Sequence, residues 1–338
     1  MKARTVAASA PTRIDLAGGT IDIWPISLLV PDAVTVNVAI ELRARAAIET
    51  RSDGRVVIVS RDRRRRVTRK LPLRARDVSG PLAVLLRLVR AFEPGSGIVL
   101  TTEALAPAGA GLGGSSALGI AAGAALDALT GRGLSRGALL IRVMNLEAVE
   151  LRTPTGNQDY LAAIHGGISA YHHGPDGTTR EILPLHPGLE RRLVLAYTGQ
   201  PRHSGFSNWE MFRRFIEGNA TAVRHMEEIA RVAREMRTAL VGGRLDDVGR
   251  LLGEEGKLRY SLAPSVATPA IRRVDAAARR AGALGVKVCG AGGGGCVVAF
   301  AADGRAPAVA EAVARAGGEL LDTRVSRRGL KVEDPAVT

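Results

Sequence analysis

The residues best placed to do chemistry lie in a few short runs. In "PAGAGLGGSSALGIAAGAAL", residues 107–126, glycines lead into Ser115 and Ser116 and then into an alanine-rich stretch with no helix breaker. Glycine lets the main chain approach a ligand closely, and a helix start offers unpaired N–H groups and the positive end of a dipole. That order of residue types is what holding a phosphate group requires. A nucleotide carries its charge with magnesium, which needs hydroxyl and carboxylate oxygens nearby. Ser115 and Ser116 offer hydroxyls. Glu147 and Asp159, the latter in "GNQDY", offer carboxylates in apolar surroundings, where an idle one is costly. Phosphoryl transfer also needs a group to orient or deprotonate the acceptor hydroxyl. Each feature has a plainer use as well: Ser-Ser as a helix cap, Glu147 as an exposed helix residue near Glu150, Asp159 as a cap. The glycine run "CGAGGGGC" (289–296) also reads as a bulged tight turn.

Hydrophobic periodicity supplies the elements that must position these groups. Residues 34–50 and the segment from 54 alternate as strands, and 80–94 has helical spacing ending before Pro94. A strand from 96 delivers the chain into the glycine loop. Helices are predicted from Ser116 to about Thr130 and over 135–151, the second capped by Ser135. A short helix follows "TPTGNQD", then a turn and a strand at "HGGISAYHH". Beyond 191 come a strand, helical stretches over 206–241 and 244–256, an amphipathic helix at "TPAIRRVDAAARRAG", and two strands flanking the late glycine tract. Strands and helices mix without regular alternation, so the class is α+β. The least arbitrary boundary, at "HPGLERR", divides the chain into 1–190 and 191–338.

Two familiar phosphate loops do not fit. No "GK[ST]" follows the glycines, so a P-loop is not indicated. "GAGLGG" (109–114) matches G-x-G-x-x-G literally, but the expected acidic partner is missing, since Asp127 falls within the helix.

Three separated stretches together resemble the GHMP kinase superfamily: "APTRIDLAGGTID", "PAGAGLGGSSA" and "KVCGAGGGGCVVAF". "RIDLAGGTIDIWP", "GNQDYLAAIHGGI" and "LAYTGQPRHSG" are most similar to the branch of D-glycero-D-manno-heptose 7-phosphate kinases and fucokinase-type sugar kinases. The resemblance implies a two-domain fold: an N-terminal domain like ribosomal protein S5 domain 2 and a C-terminal ferredoxin-like domain. It implies ATP and Mg2+ as cofactors and a sugar or sugar phosphate, phosphorylated on a hydroxyl, the anomeric one in several relatives, as substrate. Residue by residue, it implies Asp159 as the catalytic carboxylate and Arg13 as the cation that keeps it ionised. Pro107, Gly109, Gly111, Leu112, Gly113, Gly114, Ser115, Ser116 and Ala117 would form the nucleotide loop. Glu147 with Ser115 or Ser116 would hold magnesium. Gly19 and Asp22 would meet sugar hydroxyls, Gly292 and Gly293 would close the site, and Arg202 and His203 would contact a phosphate on the acceptor. Tyr160 stands where the branch has glutamine, and is expected near the acceptor. Acceptors outside the sugars, mevalonate or a polyol, and a non-catalytic sensor are the alternatives.

Composition narrows the rest. The net charge of +14 is nearly all arginine, densest at "RDRRRRV" (61–67). The arginines are spread along the chain with few aromatics among them, so the run reads as a solvated hairpin turn and edge rather than a nucleic-acid patch. Charge then serves solubility and attraction of an anionic substrate. Cys289 and Cys296 match neither zinc spacing nor a disulfide framework. Without an apolar span or a signal-type h-region, a cytoplasmic monomer or homodimer acting on a small molecule is expected.

Overall fold

The computed structural model describes residues 4–201, 204–262 and 264–334. Strand β1 (Thr5–Ala17) opens the chain, followed by the short helix α1 (Ile26–Leu29) and the long strand β2 (Val34–Arg51). β2 pairs with β1 along most of its length on one side. Its other side divides: residues 34–38 pair with β6 (Ile168–Gly174), and residues 44–51 with β5 (Gly97–Ala104). β5 runs parallel to β3 (Arg55–Ser60), which pairs with β4 (Arg65–Lys70), while β7 (Gly177–Leu183) completes a hairpin with β6. The arginine run forms the β3–β4 turn and the exposed edge strand β4, as its position after an apolar strand predicts.

Helices α2 (Ala83–Phe92), α3 (Gly114–Thr130), α4 (Arg136–Leu151) and α5 (Gln158–His165) pack with this sheet into one core. α3 can bury itself because its side chains are small. A Cβ at Gly119 or Gly123 would lie 2.7 or 2.9 Å from Val143 of α4, so only glycine permits this close crossing. The crossing brings Glu147 of α4 alongside the first turn of α3.

After α6 (Leu189–Arg192) a second, all-antiparallel sheet begins with β8 (Leu193–Tyr197). The predicted helical stretch 206–241 is two helices, α7 (Ser204–Ile216) and α8 (Ala220–Val241), because Gly218 takes positive φ and Asn219 caps the second. α9 (Leu245–Leu262), α10 (Pro269–Arg280), β9 (Ala283–Val288), β10 (Cys296–Ala301), α11 (Ala306–Arg315) and β11 (Glu319–Leu321) complete this half, in the strand order β11-β8-β10-β9. Cys289 and Cys296 are buried and form no disulfide. The last strand, β12 (Lys331–Glu333), crosses back to pair with β1.

The two halves share a core in which Val232, Met236 and Leu252 from α8 and α9 meet Ile14 and Val36 from the first sheet and Val298 and Phe300 from the second. Four buried charges reinforce this join. Asp15 of β1, Glu255 and Arg259 of α9 and Lys287 of β9 form ion pairs, among them Lys287 Nζ to Asp15 Oδ2 at 2.9 Å.

Candidate active site

The glycine loop between β5 and α3 has the conformation its composition predicts. Gly109, Gly111 and Gly113 all take positive φ, from +71° to +82°. Gly113 is the N-cap of α3 and offers no side-chain cap, so the helix's first N–H groups face a cavity of about 360 Å3. Pro107, Gly109, Gly111, Leu112, Gly113, Gly114, Ser115 and Ser116 line that cavity, as do Glu147, Asp159 and Tyr160. Ala117 is fully buried one residue further on. Helix dipole and open N–H groups make this an anion site.

Glu147, 5 % exposed, is held by hydroxyls. Ser115 Oγ donates to its Oε1 (2.5 Å), while Tyr160 Oη (2.5 Å) and Ser116 Oγ (3.4 Å) donate to Oε2. Among the described residues it has no ion pair. A buried carboxylate facing hydroxyls and lacking a cation is a fitting half-shell for a hard divalent ion. Tyr160, expected near the acceptor, lines the glycine-loop cavity and bonds Glu147. Successive residues of a helix point about 100° apart, which turns Tyr160 toward Glu147 while Asp159 faces the opening. Burial, followed by the charge of Glu147, raises the Tyr160 phenol well above its ordinary range, so it stays a donor.

Asp159 stands in the first turn of α5. Arg13 binds its Oδ1 through both Nε (2.8 Å) and Nη2 (2.5 Å), which leaves Oδ2 for another partner. Arg13 is also tied to the loop, through Nη1 to Gly111 O (2.8 Å) and its own N–H to Leu112 O (3.0 Å). Burial works to lower the Arg13 pKa, but the charges of Asp159 and Asp15 outweigh it and raise it. The guanidinium is a permanent cation fixing one carboxylate oxygen.

On the far side of Asp159 lies a smaller cavity of about 70 Å3, lined by Arg13, Asp15, Gly19, Thr20, Asp22, Gln158, Arg259 and Gly290 among others. Asp159 and Gly156 border both cavities, so Asp159 stands between the phosphate loop and this second pocket. Asp22 accepts from the N–H of Thr20 (3.1 Å) and the N–H of Gln158 (3.0 Å), capping α5 from outside. Burial raises its carboxyl to about 6, against the pull of the Gln158 bond and with help from Asp159 and Asp15.

The structure thus brings together Arg13, Gly19, Asp22, Glu147, Asp159 and the whole glycine loop. Gly292 and Gly293 line neither cavity; they pack at Val266, while Gly290 and Ala291 border the second pocket. The late tract reaches the phosphate loop through Cys296 N–H to Ala110 O (2.8 Å). Arg202 and His203 lie outside the described residues. Sequence reasoning missed Arg259, Glu255 and Lys287, since a cation on an amphipathic helix or in a strand carries no mark of burial.

Gly113 gives this geometry a direct check. A Cβ there would sit at φ +71° and 3.0 Å from Asp159 Cγ. Gly113→Ala is expected to cost about 1 kcal/mol of stability from the left-handed backbone. It should also lower kcat by about 100-fold, because an ångström of displacement at a reacting group has that effect. Urea unfolding and steady-state kinetics together check both parts.

The profile of the GHMP kinases N terminal domain matches residues 81–167, and that of the GHMP kinases C terminal matches residues 236–319. Mevalonate kinase of Pyrococcus horikoshii is 32% identical over 242 residues, covering 70% of this chain and 69% of that protein. The bifunctional fucokinase/GDP-fucose pyrophosphorylase of Arabidopsis thaliana is 26% identical over 322 residues, 89% of this chain and 30% of that protein. Among solved structures, Lactococcus lactis galactokinase complexed with galactose superposes with a TM-score of 0.80 at 18% identity, covering 98% of this chain and 95% of that one. A D-glycero-D-manno-heptose 1-phosphate kinase from Bacteriodes thetaiotaomicron gives 0.77 at 23% identity, over 97% and 98%. Among the described residues no helix is long and apolar enough to cross a membrane. With both domain profiles matched in order and a relative nearly one-third identical over most of its length, this chain belongs to the GHMP kinases.

Proposed function

We propose that the protein transfers the γ-phosphoryl group of ATP to a hydroxyl of a small sugar or sugar phosphate. The observation that carries this reading is the polarity of the second pocket. Asp22 and Asp159 line it as hydrogen-bond acceptors, and Asp15 and Gln158, which also line it, each hold a buried oxygen (Oδ1 and Oε1) that has no donor. Each described lining cation is already paired with a carboxylate, Arg13 with Asp159 and Arg259 with Asp15 and Glu255. A pocket of acceptors suits a ligand rich in hydroxyl donors. Mevalonate, named by several sequence relatives, carries fewer hydroxyl donors than a sugar and so satisfies fewer of these acceptors.

In this reading the α3 N-terminus and loop N–H groups bind the nucleotide phosphates. Ser115 and Glu147 would hold magnesium, which neutralises phosphate charge when bound. Arg13 fixes Asp159 so that Oδ2 receives the acceptor's proton, and Asp22 orients the acceptor. Catalysis is then positioning and charge stabilisation. The units 1–190 and 191–338 are part of the proposal: the second sheet begins at Leu193.

ADP release over a panel of heptose 7-phosphate, fucose, galactose, glucuronate, mannose, inositol and mevalonate tests this. Preference for one sugar is expected; mevalonate above every sugar would overturn the acceptor assignment. Asp22 adds a pH signature. It is neutral below about 6 and accepts fully only when ionised, so kcat/KM for the acceptor should rise between about pH 5 and 7. Asp22→Asn should flatten that limb.

A further inference from the structure

Arg259 is 2% exposed and spends all its N–H groups on protein. Nε bonds Glu255 Oε1 (3.0 Å); Nη1 bonds Thr20 Oγ1 (3.3 Å) and Gly290 O (3.1 Å); Nη2 bonds Asp15 Oδ2 (3.1 Å) and Gly19 O (2.7 Å). Four of these partners, Asp15, Gly19, Thr20 and Gly290, are wall residues of the second pocket. Gly19 and Thr20 belong to the loop that carries Asp22, and Gly290 begins the late glycine tract from the other half of the chain. The loop is packed hard against the guanidinium: a Cβ at Gly19 would lie 2.2 Å from Asp15 Oδ2 and 2.7 Å from Arg259 Nη2. Its neighbour Gly18 donates its N–H to Glu255 Oε1 (3.3 Å). None of the partners of Arg259 lines the nucleotide cavity.

From this we infer that Arg259 is the positioning residue of the acceptor pocket. It clamps the Asp22 loop to the late glycine tract, so the charged join between the halves and the acceptor-binding surface are one device. A planar fork with five donors can span two loops and two carboxylates, while an ammonium concentrates three donors on one atom. Asp15 and Glu255 hold the fork, and Lys287 balances the second of their charges. The inference rests on the kinase reading for its kinetic consequence but not for its structural one.

The test is Arg259→Lys, which keeps the charge and loses the span. The acceptor KM should rise about ten- to a hundredfold, the scale of lost hydrogen bonds to a charged group, with the ATP KM unchanged. Hydrogen exchange at residues 18–22 and 289–291 should speed up by about tenfold or more, with exchange in α3 unaltered. The pair Arg259→Gln with Glu255→Gln, which leaves Lys287 on Asp15, is the second variant and should show the same split. An unchanged acceptor KM, or both KM values moving together with uniformly faster exchange, would overturn the inference. If the wild-type chain transfers to no acceptor, the kinase reading fails, and the exchange pattern alone decides the role of Arg259.

Discussion

Asp159→Asn is expected to lower kcat about a thousandfold while ATP affinity stays within about twofold. The substitution is isosteric, so an amide oxygen can still accept from Arg13 Nε and Nη2. What disappears is the oxygen that takes a proton. The proposed nucleotide contacts lie on the loop and on Glu147, neither of which depends on the charge at 159. The fold should tolerate the loss, since Arg13 keeps its bond to Gly111 O and lies within the field of Asp15. Equilibrium ATP binding beside single-turnover transfer separates the two effects. A variant retaining more than about a tenth of wild-type turnover would remove Asp159 from the role of base.

Lys287→Met should be the most damaging substitution for stability. Lys287 is 0% exposed, and its Nζ serves Asp15 Oδ2, Asp15 O (2.9 Å each) and Glu255. Methionine fills similar space but leaves two buried carboxylates sharing Arg259 alone. Breaking a buried pair from one side costs about 3–5 kcal/mol, against a total of about 5–15 kcal/mol for a folded domain. A fall in Tm of roughly 10 °C follows for a chain of this size. Adding Glu255→Gln removes the surplus negative charge and should recover a large part of the loss. Thermal and urea unfolding of the single and double variants check this, and a single variant within about 1 kcal/mol of wild type would contradict it.

The site was readable where its chemistry depends on residue type and spacing. Three alternate glycines before two serines and a breaker-free helix can serve few other purposes, and Glu147 and Asp159 sit on helices whose starts are visible in the sequence. β1 was not readable as a strand. Its run "TRID" puts Arg13 and Asp15 in a buried strand, so the apolar alternation that marks strands is broken by these two charges. Tyr160 lines the glycine-loop cavity and not the second pocket, because helical rotation, rather than adjacency to Asp159, decides where it points. The charge cluster was invisible for a related reason: burial of Arg259 and Lys287 is a property of two halves meeting, and neither segment records the other.

β12 carries a consequence for how the protein is made. Its partner β1 leaves the ribosome well before β12, and the two segments are tied further by Arg4 Nη2 to Asp334 Oδ2 at 2.5 Å. β1 can pair with β2 early, yet its outer edge stays uncovered while the whole second half is translated. At roughly 5–20 residues per second that wait is on the order of ten seconds or more. An open strand edge invites pairing with other chains, so nascent molecules are exposed to misassembly throughout this interval. Slowing translation lengthens the hazard, and supplying residues 325–338 as a separate peptide during synthesis shortens it.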